Sequence, residues 1–212
     1  TKKDYIDVNQ FVTIKKEDFS EFSLIEEFES KVFTQMDDQI LDFVHKENNF
    51  VDFDRDRLLF HMSSSEGSCI CEGDINGDGY TDLYIGGSKG YPGSIYIWND
   101  NKFEKYNYPL INSDKESEDT DCVFFDANQD GSLDLYVASG GNEYSIYSPE
   151  LRDRLYYNVN NNFTKSDQIL PSGLFESSSV VKNYDFDLDG DEDLFVGTRL
   201  IPQKYGLPSN GY

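Results

Sequence analysis

The chain has 212 residues, of which 41 are acidic and 18 basic, giving a formal net charge of −23. Nucleic-acid binding rests on Lys and Arg neutralising phosphates, so this charge argues against a nucleic-acid partner, and against an anionic membrane surface on the same ground. No apolar run reaches membrane-spanning length, and three cysteines allow at most one internal disulfide.

Residues 1–66 read as a lead-in segment of mixed or β structure. Phe22, Ile25, Phe28, Val32 and Met36 fall near helical spacing, which predicts a helix over about 17–36. Lys31–Thr34 and Asp42–His45 read equally well as strands. FVDFDRDRLLF (50–60), then His61 and the polar run Ser63–Ser68, lead into a repetitive region. His45 and His61 are the two histidines, and each reads as structural.

From residue 67 onward a motif occurs three times. Its frame is Asp74, Asn76, Asp78, Gly79, Tyr80, Asp82; then Asp126, Asn128, Asp130, Gly131, Ser132, Asp134; then Asp185, Asp187, Asp189, Gly190, Asp191, Asp193. The starts lie 52 and 59 residues apart, the signature of a repeat architecture. Side-chain oxygens at positions 1, 3, 5 and 9, with a backbone carbonyl at 7, suit a ring of ligands around a hard cation. Calcium takes six to eight oxygens in such rings, and Gly at position 6 permits the sharp turn. An EF-hand would need Glu at position 12 and flanking helices; here Ile85, Val137 and Val196 stand there, inside runs of β-formers.

Each motif is therefore a loop between two strands. Cys69–Cys71, Cys122–Phe125 and Val180–Val181 precede the loops, and Leu83–Ile85, Leu135–Val137 and Leu194–Val196 follow them. Two units carry a second hairpin: Ser94–Trp98 and Phe103–Tyr106 around Asn99–Lys102, and Arg154–Tyr157 and Phe163–Lys165 around Asn158–Asn162. Four strands per unit suggest blades of a β-propeller. The units are 67–118, 119–177 and a truncated 178–212, which reads as part of a longer protein. Cys122 could pair with Cys69 or Cys71, or all three could be small buried hydrophobes.

These stretches resemble the FG-GAP or VCBS repeats of integrin α-like propellers, and in detail bacterial VCBS, ASPIC/UnbV and cartilage-acidic-protein-like surface proteins. VNQFVTI (8–14) weakly resembles the end of a domain that precedes such propellers. The resemblance implies an all-β fold: a partial FG-GAP/VCBS-type β-propeller segment of about three blades. It implies about three calcium ions, held by Asp74, Asn76, Asp78, Tyr80 and Asp82, by Asp126, Asn128, Asp130, Ser132 and Asp134, and by Asp185, Asp187, Asp189, Asp191 and Asp193. Tyr80, Ser132 and Asp191 would contribute backbone oxygen.

Catalytic signatures are missing from the sequence: there is no GxSxG, HExxH or Cys/His pattern, and Gly86–Gly93 lacks the order of a phosphate-binding loop. The expectation is a non-enzymatic, calcium-binding module of extracellular or cell-surface location, as on a bacterial outer surface, that binds a protein or glycan. The alternative is an accessory propeller domain of a larger surface enzyme or glycan-utilisation protein. Tyr91, Tyr144, Tyr147 and Trp98 are candidate contact aromatics. Open blade ends predict self-association or a frayed C-terminus, with Phe43, Val44, Phe50, Val51 and Phe53 covering the first blade.

Overall fold

The computed structural model describes residues 37, 39–168 and 176–212. The stretch 8–14, the helix predicted over 17–36 and the strand predicted at 31–34 lie outside them. The fold below is that of the unit Asp37–Tyr212.

Asp42–His45, the other strand expected in the lead-in, is irregular chain, and the described part of the lead-in holds one short helix, α1 (Asp52–Arg55). Among the described residues three antiparallel sheets follow. The first contains β1 (Ile70–Gly73), β2 (Asp82–Ile85), β3 (Ser94–Asn99) and β4 (Lys102–Tyr106), in that spatial order. Helix α2 (Pro109–Ser113) leads to a second sheet of β5 (Glu118–Phe125), β6 (Asp134–Gly140), β7 (Arg154–Val159) and β8 (Asn162–Lys165). The third pairs β9 (Ser177–Tyr184) with β10 (Asp193–Leu200). This is an all-β, propeller-like segment in which successive strands are hairpin-linked.

The outer hairpins turn tightly for a local reason. Asp100 and Asn101 have φ of 46° and 70°, and Asn160 and Asn161 have 52° and 63°. Paired positive φ values make type I′ turns, whose twist matches the flanking strands, and Asn and Asp tolerate them best.

Strand alternation builds two cores. Cys122, Phe124, Leu135, Val137 and Tyr156 of the second sheet face the first, meeting Cys69, Tyr84 and Ile95. Their neighbours Phe125, Tyr136, Ala138 and Leu155 face the third sheet and meet Val181 and Val196. A strand buried on both faces needs no polar residue between its apolar ones, and every residue of β6 is buried. Cys69, Cys71 and Cys122 are free thiols in or against the first core.

Each interface also encloses a carboxylate bonded to an equivalent pair of donors. In the first, Asp119 of β5 accepts hydrogen bonds from the Tyr84 hydroxyl (2.7 Å) and the Gly87 amide (2.7 Å), and pairs with the Arg154 guanidinium. In the second, Asp153 accepts from the Tyr136 hydroxyl (2.9 Å) and the Ser139 amide (2.6 Å). Tyr136 and Ser139 stand 52 residues after Tyr84 and Gly87, so the donors are equivalent while the acid comes from a different strand. Ser178, aligned with Asp119 in the register of β9, donates to Asp153 (3.0 Å). The position aligned with Asp153 in the first sheet is Gly93, where a Cβ would lie 2.1 Å from the Tyr84 hydroxyl oxygen.

The ends of the stack differ from expectation. Phe43 sets its ring edge-on to Tyr96 (6.3 Å) and the Ile40 carbonyl accepts from Phe103 N–H (2.7 Å), so part of the lead-in meets the first sheet, whereas Val44, Val51 and Phe53, expected to cover it as well, are exposed. At the other end Tyr212 is not frayed. Its N–H and C=O bond reciprocally to Val196 (2.9 and 2.7 Å), the register that Ser94 holds with Ile85 and Arg154 with Val137. An open strand edge exposes unpaired donors and acceptors, and the returning chain satisfies those of Val196.

Candidate metal centres

The three acidic loops are the β1–β2, β5–β6 and β9–β10 turns, at one end of the sheets, and each folds around its own carboxylates in the same way. At position 1, Asp74 accepts from the amides of Gly77 (2.8 Å), Asp78 (3.1 Å) and Gly79 (2.9 Å). Asp126 accepts from Asp130 (3.1 Å) and Gly131 (2.8 Å), and Asp185 from Asp189 (3.1 Å) and Gly190 (3.2 Å). At position 3, Asn76, Asn128 and Asp187 each accept from the amide two residues on (2.9, 3.0 and 3.3 Å). At position 5, Asp78, Asp130 and Asp189 do likewise toward Tyr80, Ser132 and Asp191 (2.8, 2.9 and 3.1 Å). Successive Asx turns of this kind wind the chain so that several side-chain oxygens face inward.

Backbone conformation permits the winding. Gly79, Gly131 and Gly190 at position 6 have φ of 85°, 87° and 99°. Position 4 is left-handed as well, at Gly77 (75°), Gln129 (59°) and Leu188 (62°). The sequence frame identifies the glycine at position 6 but not position 4, because only the first loop has glycine there.

Position 9 ties each loop to its sheet. Asp82 accepts from the amides of Ile75 (3.2 Å) and, across the sheet, Trp98 (2.9 Å). Asp134 repeats this with Ala127 (3.0 Å) and Asn158 (2.7 Å). Both carboxylates are fully buried, and burial raises their pKa against the pull of these hydrogen bonds. Asp193 keeps only the inner bond, from Phe186 N–H (3.0 Å), and is exposed.

The third loop has the densest charge. Carboxylate oxygens of Asp185, Asp187 and Asp193 lie within 4.8 Å of one another, and a hydrogen bond shared with Asp189, reinforced by its charge, raises the pKa of Asp191. All donors gathered in the three loops are oxygens, with no imidazole or thiolate. Such a set suits a hard cation such as calcium and not zinc.

The other candidates fare differently. Tyr91 (42% exposed) and Tyr147 (78%) stand on the β2–β3 and β6–β7 connections, at the end opposite the metal loops. Tyr144 is buried and its hydroxyl donates to the Glu116 carbonyl (2.6 Å), whereas Trp98 is half-buried and packs edge-on to Phe103 (4.8 Å). Gly86–Gly93 is the close-packed β2–β3 connection. His45 contacts Glu47 (2.5 Å) and His61 faces Glu66 (3.6 Å). Asp119, Asp153 and Asn158 carry much of the buried hydrogen bonding and lie outside the motif frame, so spacing alone does not point to them.

The sequence profile of the FG-GAP-like repeat matches residues 74–137 and again 126–196, each match running from one loop through the next and into the strand beyond it. No curated protein matches the chain. The matched span, 74–196, covers more than half of the residues, and its limits fall on the first residue of the first loop and within β10. The chain belongs to the FG-GAP-like repeat family.

Proposed function

We propose that this chain is a non-catalytic, calcium-binding propeller module of an extracellular or cell-surface protein, and that it binds a protein or glycan partner. The observation that carries the reading is the threefold recurrence of one hydrogen-bonded loop, each with side-chain oxygens at positions 1, 3, 5 and 9. The ions would be held by those side chains and by the backbone oxygens of Tyr80, Ser132 and Asp191. A bound divalent cation would neutralise carboxylates that otherwise repel one another within a single turn. Affinity on the order of 10⁻⁴–10⁻³ M is expected, the range of extracellular modules.

Bound calcium would hold one end of the sheets rigid, and partner binding is assigned to the opposite end, where Tyr91 and Tyr147 are exposed on the inter-strand connections. Thermal unfolding with excess calcium and with EDTA tests the structural role of the ions. Linkage gives about 2.7 kcal/mol per site at a hundredfold excess over Kd, so the midpoint should fall clearly in EDTA. Superimposable curves would contradict it. Glycan-array or pull-down signals that calcium removal abolishes would support the partner reading, and signals indifferent to calcium would count against it.

A further inference from the structure

The first two loops are joined by a buried path that ends on a position-9 carboxylate at each side. Asp82 accepts from the Ile75 N–H (3.2 Å), and the Ile75 carbonyl accepts from the Asn158 side-chain Nδ2 (2.8 Å). The Asn158 N–H donates to Asp134 (2.7 Å), and its Nδ2 also reaches the Leu133 carbonyl (3.3 Å). Every side chain along this path is shut away from solvent: Asp82 and Asp134 are 0% exposed, Asn158 1% and Ile75 4%.

The amide orientation follows from its surroundings, because the reversed amide would set Oδ1 against two carbonyl oxygens. The orientation leaves Oδ1 buried without a hydrogen-bond partner, a cost of about 1–3 kcal/mol that an apolar residue would not incur. What the amide supplies in return is the bridge. The aligned residue of the first sheet is Trp98, whose N–H holds Asp82 as Asn158 holds Asp134. Among the described residues no acidic loop precedes the first sheet, and no hydrogen bond runs from the Trp98 side chain to one. In the third loop Asp193 and Phe186 are exposed, and no such path is found among the described residues.

We propose that Asn158 is a positioning residue that couples calcium binding in the first and second loops, while the third loop binds independently. The inference rests on the calcium reading. Both ends of the path are ligands, so an ion that fixes Asp82 also fixes Ile75 and, through the amide, the seat of Asp134. By reciprocity the second ion acts equally on the first.

Calcium titration calorimetry on the whole chain tests the coupling, with the third loop disabled throughout by Asp189→Ala. Disabling the first loop with Asp78→Ala, a residue outside the path, should weaken the second loop about fivefold or more, the lower bound of usual coupling. In an Asn158→Leu background, near-isosteric and unable to bridge, the same change should leave the second loop within about twofold, where removal of the coupling leaves no ratio to transmit. Asn158→Ala serves as a second background, with far-UV circular dichroism confirming the fold of each. Equal second-loop affinity with and without Asp78→Ala in the Asn158 protein would overturn the coupling while leaving calcium binding intact, and requires no Asn158 variant. An undiminished effect in the Leu and Ala backgrounds would overturn the role of Asn158. Absence of calcium binding in the Asp189→Ala protein would overturn both this inference and the calcium reading.

Discussion

Position 6 of each loop is legible at the level of single residues, because glycine is the residue that accepts φ near 90° without a Cβ penalty. Position 4 is not, since Gln129 and Leu188 adopt the left-handed region without advertising it. The buried acids are hidden for another reason: Glu118, Asp119 and Asp153 have polar or charged neighbours on both sides in the chain, and a carboxylate in such a run reads as exposed until its partners are known. Glu118 is the sharpest case. Burial first, and then the negative charges of Glu143 and Glu47, push its carboxyl up to about 8, against the hydrogen bond from Lys89 N–H (2.8 Å). The folded state thus holds a proton that the unfolded chain releases above its ordinary value of 4.5. Stability from this group is present below pH 4.5 and declines as pH rises toward 8. Glu118→Gln keeps an acceptor for Lys89 and removes the ionisation. The variant should match the parent near pH 4.5 and exceed it by up to about 4 kcal/mol at pH 8, read from denaturant unfolding at both values. A constant difference across that range would contradict the assignment.

Strand and hairpin content was readable from sequence because period-2 alternation and Asn/Asp turns are local signals, and the expected strand–loop–strand units correspond to β1–β2, β5–β6 and β9–β10. The stretch Asp42–His45 shows the limit: its β-forming pair Phe43 and Val44 suits a strand, but Phe43 docks as a single side chain on Tyr96. Between sheets, the enclosed carboxylate was illegible because its donor groups repeat while its own position moves from Asp119 to Asp153. Removing Asp119 strands the buried Arg154 guanidinium, which is 5% exposed, together with the Tyr84 hydroxyl. Asp119→Ala should cost about 3–5 kcal/mol, the usual penalty for breaking a buried pair. Asp114→Ala should cost less, about 1–3 kcal/mol, chiefly by leaving the buried Tyr156 hydroxyl (2.6 Å) without its acceptor, since the ion pair with the more exposed Lys165 (2.7 Å) adds little. Equal destabilisation by the two alanine variants in urea melts would contradict this ranking.

At the scale of the whole unit Asp37–Tyr212, the three sheets of its described residues present successive faces to one another, and the third leaves Phe195 61% exposed. Phe195 aligns with Tyr84 and Tyr136, which the next sheet covers completely or nearly so (0% and 1%). The three acidic loops are turns at one end of these sheets, so ions bound there would be expected to stabilise the assembly of sheets and not a single turn. Asp78→Ala should therefore lower the midpoint in calcium while reducing the difference between calcium and EDTA, because one of the ions no longer contributes. The central claim is that the three repeated loops are calcium sites, and native mass spectrometry of protein exchanged into calcium tests it most directly by counting ions. The account predicts three calcium ions per chain, removed by EDTA, with Asp189→Ala retaining two; bound zinc, or no bound metal at millimolar calcium, the upper end of the expected affinity range, would contradict it.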